Sequence, residues 1–268
     1  MSTAIITGAG RGIGRTIAEQ LADNGWQVVL AARNQTELQA TAEAIQAAGG
    51  TALAVPTDVR DLAQVHALVD HAVAAFGTPT ALINIAGALG QFGQFHDLEL
   101  EQVRSMSDTI WWGTLHTTHT ILPLMINNGG GSIINIAGYG AADPSPRLAA
   151  YGAIKAALVR FTETVALEVK RSKVRINIIG PGLVATQLST TIASTPEAQR
   201  FADGMIKMAH TKGVPADQAA DLVQWLLSDE SAPLTGRLIT VHDDYRALGS
   251  RSVEINAGSG YTLRRVTE

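Results

Sequence analysis

The sequence predicts a single α/β domain of the doubly wound kind, an about seven-stranded parallel sheet with helices on both faces. Three observations predict it. Short apolar runs rich in β-branched residues alternate with longer segments of helical period. A glycine cluster stands at the first strand-to-helix joint. A chain of 268 residues, 46% of them hydrophobic, can bury a large core, and α/β folds of this size commonly form one domain.

The elements follow in order. Strands are expected over 4–7, 27–31, 51–55 and 81–85, each followed by a helix, over 13–24, 35–47, 62–76 and 101–127. The rhythm continues with a strand over 132–137, a helix over 149–170, a strand over 174–179, a helix over 216–227 and a last strand over 237–241. Alternation of this kind builds βαβ units and hence a parallel sheet. Asn24-Gly25, Gly49-Gly50, Gly77 and Asn128-Gly129-Gly130-Gly131 close helices with residues that tolerate positive φ. No linker or repeat divides the chain, so residues 1–245 are expected to form the domain, with 246–268 as a C-terminal extension packing on it or on a neighbouring subunit.

The charge balance, 24 acidic against 20 basic residues, is too even to build the basic stripe that nucleic acid requires. The chain has no cysteine, which removes disulfides and thiolate chemistry and fits a reducing compartment. Met1 runs straight into a strand-like segment without a basic leader or long apolar run, so a cytoplasmic protein without a membrane span is expected. No metal site is predicted.

Thr7-Gly8-Ala9-Gly10-Arg11-Gly12-Ile13-Gly14 lies where a strand ends and a helix opens. Glycines there let backbone N–H groups approach a pyrophosphate at the positive end of a helix. A carboxylate closing the second strand would bind the 2′-hydroxyl of an adenosine ribose, but Ala31-Ala32-Arg33 stands in that place. Arg33 and Arg11 together suit a 2′-phosphate, so NADP(H) is expected over NAD(H). Tyr151-Gly152-Ala153-Ile154-Lys155 places a phenol and an ammonium on one helix face by i,i+4 spacing. Such a pair can do acid/base work, the lysine charge favouring the phenolate.

Taken together, these segments resemble the short-chain dehydrogenase/reductase (SDR) family, in order and over nearly the whole chain, from Thr3 to about Val241. The resemblance implies a Rossmann-like fold and a nicotinamide dinucleotide. It implies that Asp58 and Val59 bracket the adenine, and that Asn84, Ala86 and Gly87 line the cofactor, Asn84 also steadying the sheet. It further implies that Pro181, Gly182 and Val184 face the nicotinamide, with Thr186 holding its carboxamide, and that Lys155 bonds the nicotinamide ribose beside the catalytic Tyr151.

Two members of the family's pattern are replaced. The serine thirteen positions before the tyrosine is Gly138, and the asparagine of the long helix, thirteen positions before Pro123, is Ile110. Their loss weakens substrate positioning and proton relay. Tyr139, Ser145, Ser107, Thr114 and Asp108 are nearby polar groups, each also explicable as a surface or capping residue. A glycine at position 138 leaves room for a bulkier substrate group or for contact with a backbone N–H.

A substrate lid is expected over about 183–212, where Gln187, Leu188, Ile192, Phe201, Met205 and Met208 offer mostly apolar contacts, to substrate or to the domain itself. A second loop, 88–97, carries Phe92, Phe95 and His96 at the carboxyl ends of strands. The expected function is NADP(H)-dependent interconversion of a carbonyl compound and an alcohol, with Tyr151 as acid/base supported by Lys155. A redox-inactive cofactor-binding subunit is the alternative, or a lyase, epimerase or dehydratase on the same fold. Trp111-Trp112 and the Tyr151 helix suggest a homodimer or homotetramer.

Overall fold

The computed structural model describes residues 2–87, 90–184 and 196–264. Seven strands, β1 (Thr3–Thr7), β2 (Gln27–Ala32), β3 (Thr51–Pro56), β4 (Ala81–Asn84), β5 (Gly131–Ile136), β6 (Val174–Gly180) and β7 (Leu238–Thr240), form one parallel sheet. Their order is β3-β2-β1-β4-β5-β6-β7, with the direction of winding reversing between β1 and β4. Residues 4–7 of β1 pair in register with 28–31 on one side and 81–84 on the other. The expected doubly wound sheet is therefore present, Rossmann-like in order, and its switch point marks where ligands bind in such sheets.

Alternation along the strands divides the core in two. Ala4, Ile6, Val28, Leu30, Ile83 and Ile134 point to one face, where α1 (Gly12–Asp23), α2 (Gln35–Ala47) and α8 (Ala216–Leu227) supply Ile17, Leu21, Leu38, Leu222 and Leu226. Ile5, Val29, Leu82, Ile133 and Ile176 point to the other, against Leu68 of α3 (Leu62–Phe76), Ile121 of α5 (Gly113–Asn127) and Val165 of α6 (Ala149–Glu168). Both faces being covered, the strands read as continuous apolar runs.

Helices expected over 35–47, 62–76 and 216–227 occupy those residues. The helix expected over 101–127 is instead divided into α4 (Leu100–Ser107), a π-helical turn at Asp108–Trp112, and α5. The apolar period runs through the division, which is why periodicity alone reads it as one helix. Part of the expected lid is helical, as α7 (Pro196–Lys212), and the extension carries two short helices, α9 (Tyr245–Gly249) and α10 (Ser252–Ala257).

The extension is bonded to its own chain. The buried Arg237 guanidinium donates to the carbonyls of Ile255 and Gly258, at 2.7 and 3.2 Å. The outward N–H groups of β7 are both taken: Leu238 donates to the Tyr261 carbonyl at 2.8 Å and Thr240 to the Asp243 carboxylate at 2.7 Å. A row of free edge donors is thereby closed to further strand pairing. The Leu263 N–H donates to the buried Glu163 carboxylate at 2.7 Å, which also pairs with Arg160 and Arg264.

One polar ladder crosses this apolar interior. Asn84 Nδ2 donates to Asn135 Oδ1 at 3.0 Å, and Asn135 Nδ2 donates to Thr162 Oγ1 at 2.9 Å. Thr117 Oγ1 donates to Asn84 Oδ1 at 2.8 Å. All four residues are buried, so each bond satisfies groups that water cannot reach. Asn135→Ala takes away the nearer acceptor of the Asn84 amide, leaving it the longer bond to Thr118 Oγ1 at 3.3 Å, and opens a cavity; it is expected to cost about 2–4 kcal/mol. Denaturant unfolding, with the midpoint shifted at constant slope, measures it.

Candidate active site

The glycine loop leaves β1 and enters α1 with Gly8 at φ +69°, a conformation that a Cβ penalises. A Cβ at Gly14 would meet the Gly8 carbonyl oxygen at 2.2 Å, so the loop folds directly onto the helix start. Thr7 Oγ1 accepts from the N–H groups of Ile85 and Ala86, at 3.0 and 3.1 Å, which stitches the loop to the end of β4. Helices α2 and α3 begin with side-chain caps from Asn34 and Asp61, whereas among the described residues no side chain caps α1. Its first-turn N–H groups, at Gly12, Ile13 and Gly14, have no intrahelical acceptor and lie at the positive end of a helix. An anion of pyrophosphate type fits there.

At the adenosine end, Arg33 follows β2 and is exposed, and Arg11 lies 3.8 Å from Glu37. Asp58 is not an open carboxylate. Arg60 grips it at 2.6–3.0 Å, and that hydrogen bond holds its carboxyl below the usual range, with Arg33 adding to the effect. Val59 is buried beside it, with Gly113 close against its side chain. The Asn84 amide is turned into the core ladder, while Ala86 and Gly87 continue past the strand end. Pro181, Gly182 and Val184 follow β6, whereas Thr186, Gln187, Leu188 and Ile192 lie outside the described residues.

Tyr151 and Lys155 stand one turn apart on α6. The ammonium lies 5.8 Å from the centroid of the phenol ring and donates to the Ile136 carbonyl at 2.8 Å, the last residue of β5. Burial controls both groups. It pushes the Tyr151 phenol up from 10.0 to about 12 and the Lys155 ammonium down from 10.5 to about 8. Both shifts have desolvation as their cause, each group being displaced toward its neutral form.

Gly138 explains how the phenol fits. A Cβ built there would lie 2.3 Å from the Tyr151 hydroxyl and 3.0 Å from the ring carbon that carries it. The hydroxyl thus occupies space that a serine side chain would need. Ile110, in the π-helical turn, is 1% exposed and packs with Ala137, Leu158, Val159 and Ile178, with Tyr151 at the margin. Of the polar groups near these two positions, Tyr139 is 46% exposed and Thr114 is buried.

Tyr151 also belongs to an apolar wall. Phe92, Leu148, Ala202 and Met205 are buried together, with Leu183, Phe201 and Tyr151 packed against them. Phe201 of α7 meets Phe92 at 5.6 Å between centroids, so the second loop and the expected lid join beside the phenol. Met208, Phe95 and His96 do not take part in this wall; Phe95 and His96 are exposed, the latter 3.6 Å from Asp97. Sequence reasoning did not single out Glu37, Arg60 or Leu148, because nothing in their local pattern shows which distant group each touches. Among the described residues no group of three or more His, Asp or Glu is placed to hold a metal ion, and no helix is long and apolar enough to cross a membrane.

Two outcomes follow from this geometry. Between about pH 8 and 10.5 the unfolded chain keeps the Lys155 proton that the native state has released, so stability rises with pH there, by up to about 1.4 kcal/mol per unit. Between 10 and about 12 the native state keeps the Tyr151 proton that the unfolded chain has lost, and stability falls. Lys155→Met removes the first limb, read as the difference in denaturation midpoint between the two proteins across pH. Gly138→Ser adds a side chain in the space of the Tyr151 hydroxyl, forces Tyr151 aside and is expected to lower stability by about 1–3 kcal/mol, measured by thermal unfolding.

Comparison with known proteins places the fold in a family. A family model described as short chain dehydrogenase matches residues 2–197. Cyclohexanol dehydrogenase of Acinetobacter sp. (strain SE19) is 32% identical over 244 residues, 90% of this chain and 94% of its own. The 3-ketoacyl-(acyl-carrier-protein) reductase of Brucella melitensis, solved in complex with NADH, superposes with a TM-score of 0.79 at 29% identity, covering 90% of this chain and 96% of its own. A variant of the actinorhodin polyketide ketoreductase, solved with NADPH, gives a TM-score of 0.79 at 28% identity over 90% and 95% of the two chains. With the family's parallel sheet, its glycine loop at the switch point, and a tyrosine and lysine one turn apart behind β5, the chain belongs to the short-chain dehydrogenase/reductase family.

Proposed function

We propose that this protein is an NADP(H)-dependent oxidoreductase that interconverts a carbonyl compound and an alcohol. The observation that carries the reading is the placement of a half-buried Tyr151 one helical turn from the buried Lys155, at the carboxyl end of β5 and beside the apolar wall. The nicotinamide supplies or accepts the hydride when bound. Gly8, Gly10, Gly12, Ile13 and Gly14 would hold its pyrophosphate on the open end of α1. Arg11 and Arg33 would receive a 2′-phosphate, which favours NADP(H) over NAD(H). Asp58, Val59, Ala86 and Gly87 would line the adenosine side, and Pro181, Gly182, Val184 and Thr186 the nicotinamide side. Relatives solved with NADH and with NADPH support a nicotinamide cofactor.

In the reductive direction Tyr151, kept protonated by burial, donates its proton to the carbonyl oxygen. Lys155 lies close enough to stabilise the phenolate that remains, its field strengthened by exclusion of water. With no hydroxyl at position 138, the substrate oxygen relies on Tyr151 and on backbone groups for its position. The apolar wall, with α7 as part of a lid over 183–212, favours a moderately hydrophobic substrate. A redox-inactive cofactor-binding role is the second reading, favoured by the burial of Ile110 among apolar side chains. Exposed Trp112 and Leu167, around the Tyr151 helix, support pairing into a homodimer or homotetramer.

A panel of carbonyl compounds with NADPH, and of alcohols with NADP⁺, tests the proposal by absorbance at the reduced-nicotinamide band. Tyr151→Phe is expected to lower turnover at least about 100-fold while leaving the dissociation constant for NADPH within about twofold. Turnover equal to that of the parent would remove Tyr151 from the chemistry. Tight NADPH binding without oxidation by any substrate would favour the second reading.

A further inference from the structure

The two arginines at the adenosine end do not stand in a purely cationic pocket. Glu37 lies on the glycine loop itself: a Cβ at Gly10 would meet Glu37 Cβ at 3.1 Å and its Oε2 at 3.4 Å. Its other oxygen is 3.8 Å from Arg11 Nη1, the two side chains being 37% and 52% exposed. The placement is rigid on the backbone side. Asn34 Oδ1 accepts from the Glu37 N–H at 3.2 Å, and Thr41 Oγ1 donates to the Glu37 carbonyl at 3.0 Å and reaches the Gly10 carbonyl at 3.3 Å. The first turn of α2 and the glycine loop are thus one unit, with a carboxylate at their junction.

The other carboxylate at this end, Asp58, is differently engaged. Arg60 holds it by short paired bonds, so its charge is compensated within the pair. Glu37 meets Arg11 at longer range and half in water, where an ion pair is weak and exchangeable. A 2′-phosphate arriving at Arg11 and Arg33 would face the Glu37 carboxylate across that contact. A 2′-hydroxyl would instead find an acceptor in it, as acidic residues near this point provide for NAD(H).

We propose that Glu37 is a specificity-determining residue that shares Arg11 with the 2′-phosphate, holding NADPH affinity down and keeping NADH as a usable second cofactor. The inference rests on the cofactor reading given above and adds to it a margin: the preference for NADP(H) is narrow, and Glu37 is what narrows it. Glu37 also stands in the first turn of α2, where a negative charge suits the helix dipole. That structural role would change stability without changing the ratio of the two affinities.

Direct titration of NADPH and of NADH, by calorimetry or quenching of tryptophan fluorescence, separates these outcomes without reference to turnover. Glu37→Gln is expected to tighten NADPH about two- to tenfold and to leave NADH unchanged or weaker, with the effect shrinking as salt rises. Glu37→Arg extends the trend in the same direction, and thermal unfolding controls for the fold of both variants. An unchanged ratio of NADPH to NADH affinity in both variants, or an equal gain for both nucleotides, would overturn the role of Glu37. Failure of the parent protein to bind either nucleotide would instead overturn the cofactor reading beneath it.

Discussion

The hydrogen bonds from Thr117 through Asn84 and Asn135 to Thr162 fix the parts of the site relative to one another. Asn84 ends β4, from which Ala86 and Gly87 run toward the glycine loop. Asn135 lies one residue before the carbonyl that receives Lys155. Thr162 is two turns beyond Lys155 on α6. Apolar packing tolerates small slips of helix against sheet, whereas a buried amide has few positions in which all its groups are paired. The ladder therefore sets the register of α6 on β5, and with it the place of the phenol and the ammonium.

Around that fixed register the site is dry and tightly fitted. Gly138 gives the Tyr151 hydroxyl its space, Ile110 packs among apolar side chains, and the wall from Phe92 to Met205 closes the side toward α7. The phenol stays protonated and the ammonium becomes easier to discharge, both by desolvation. The cofactor end is different in kind. It is half in water and is balanced by ion pairs, Arg11 with Glu37 and Arg60 with Asp58, so selectivity there turns on modest and salt-sensitive energies.

Much of this was legible in the chain itself. Continuous apolar runs and helical periods marked the strands to within one residue at each end and three of the helices to the residue, because burial on both faces of a parallel sheet imprints directly on composition. The division of the long helix at Asp108–Trp112 left no such imprint, since a π-helical turn keeps the apolar face inward. The two helices in the extension are short, and their partners and those of the lid helix lie far away in sequence. Glu163 shows the same limit: an ordinary helical glutamate by position, it becomes buried and triply bonded only when the last described residues return to α6.

The sequence by itself determined the order of strands and helices, the glycine loop at the first joint, and the i,i+4 placement of Tyr151 and Lys155. All of these are local in the chain, and local spacing dictates them. Tertiary structure decided how each polar group is spent: the Asn84 amide in the core, Asp58 on Arg60, Glu37 beside Arg11. Those outcomes depend on burial and on partners tens of residues distant, and neither quantity exists until the sheet has closed its two faces.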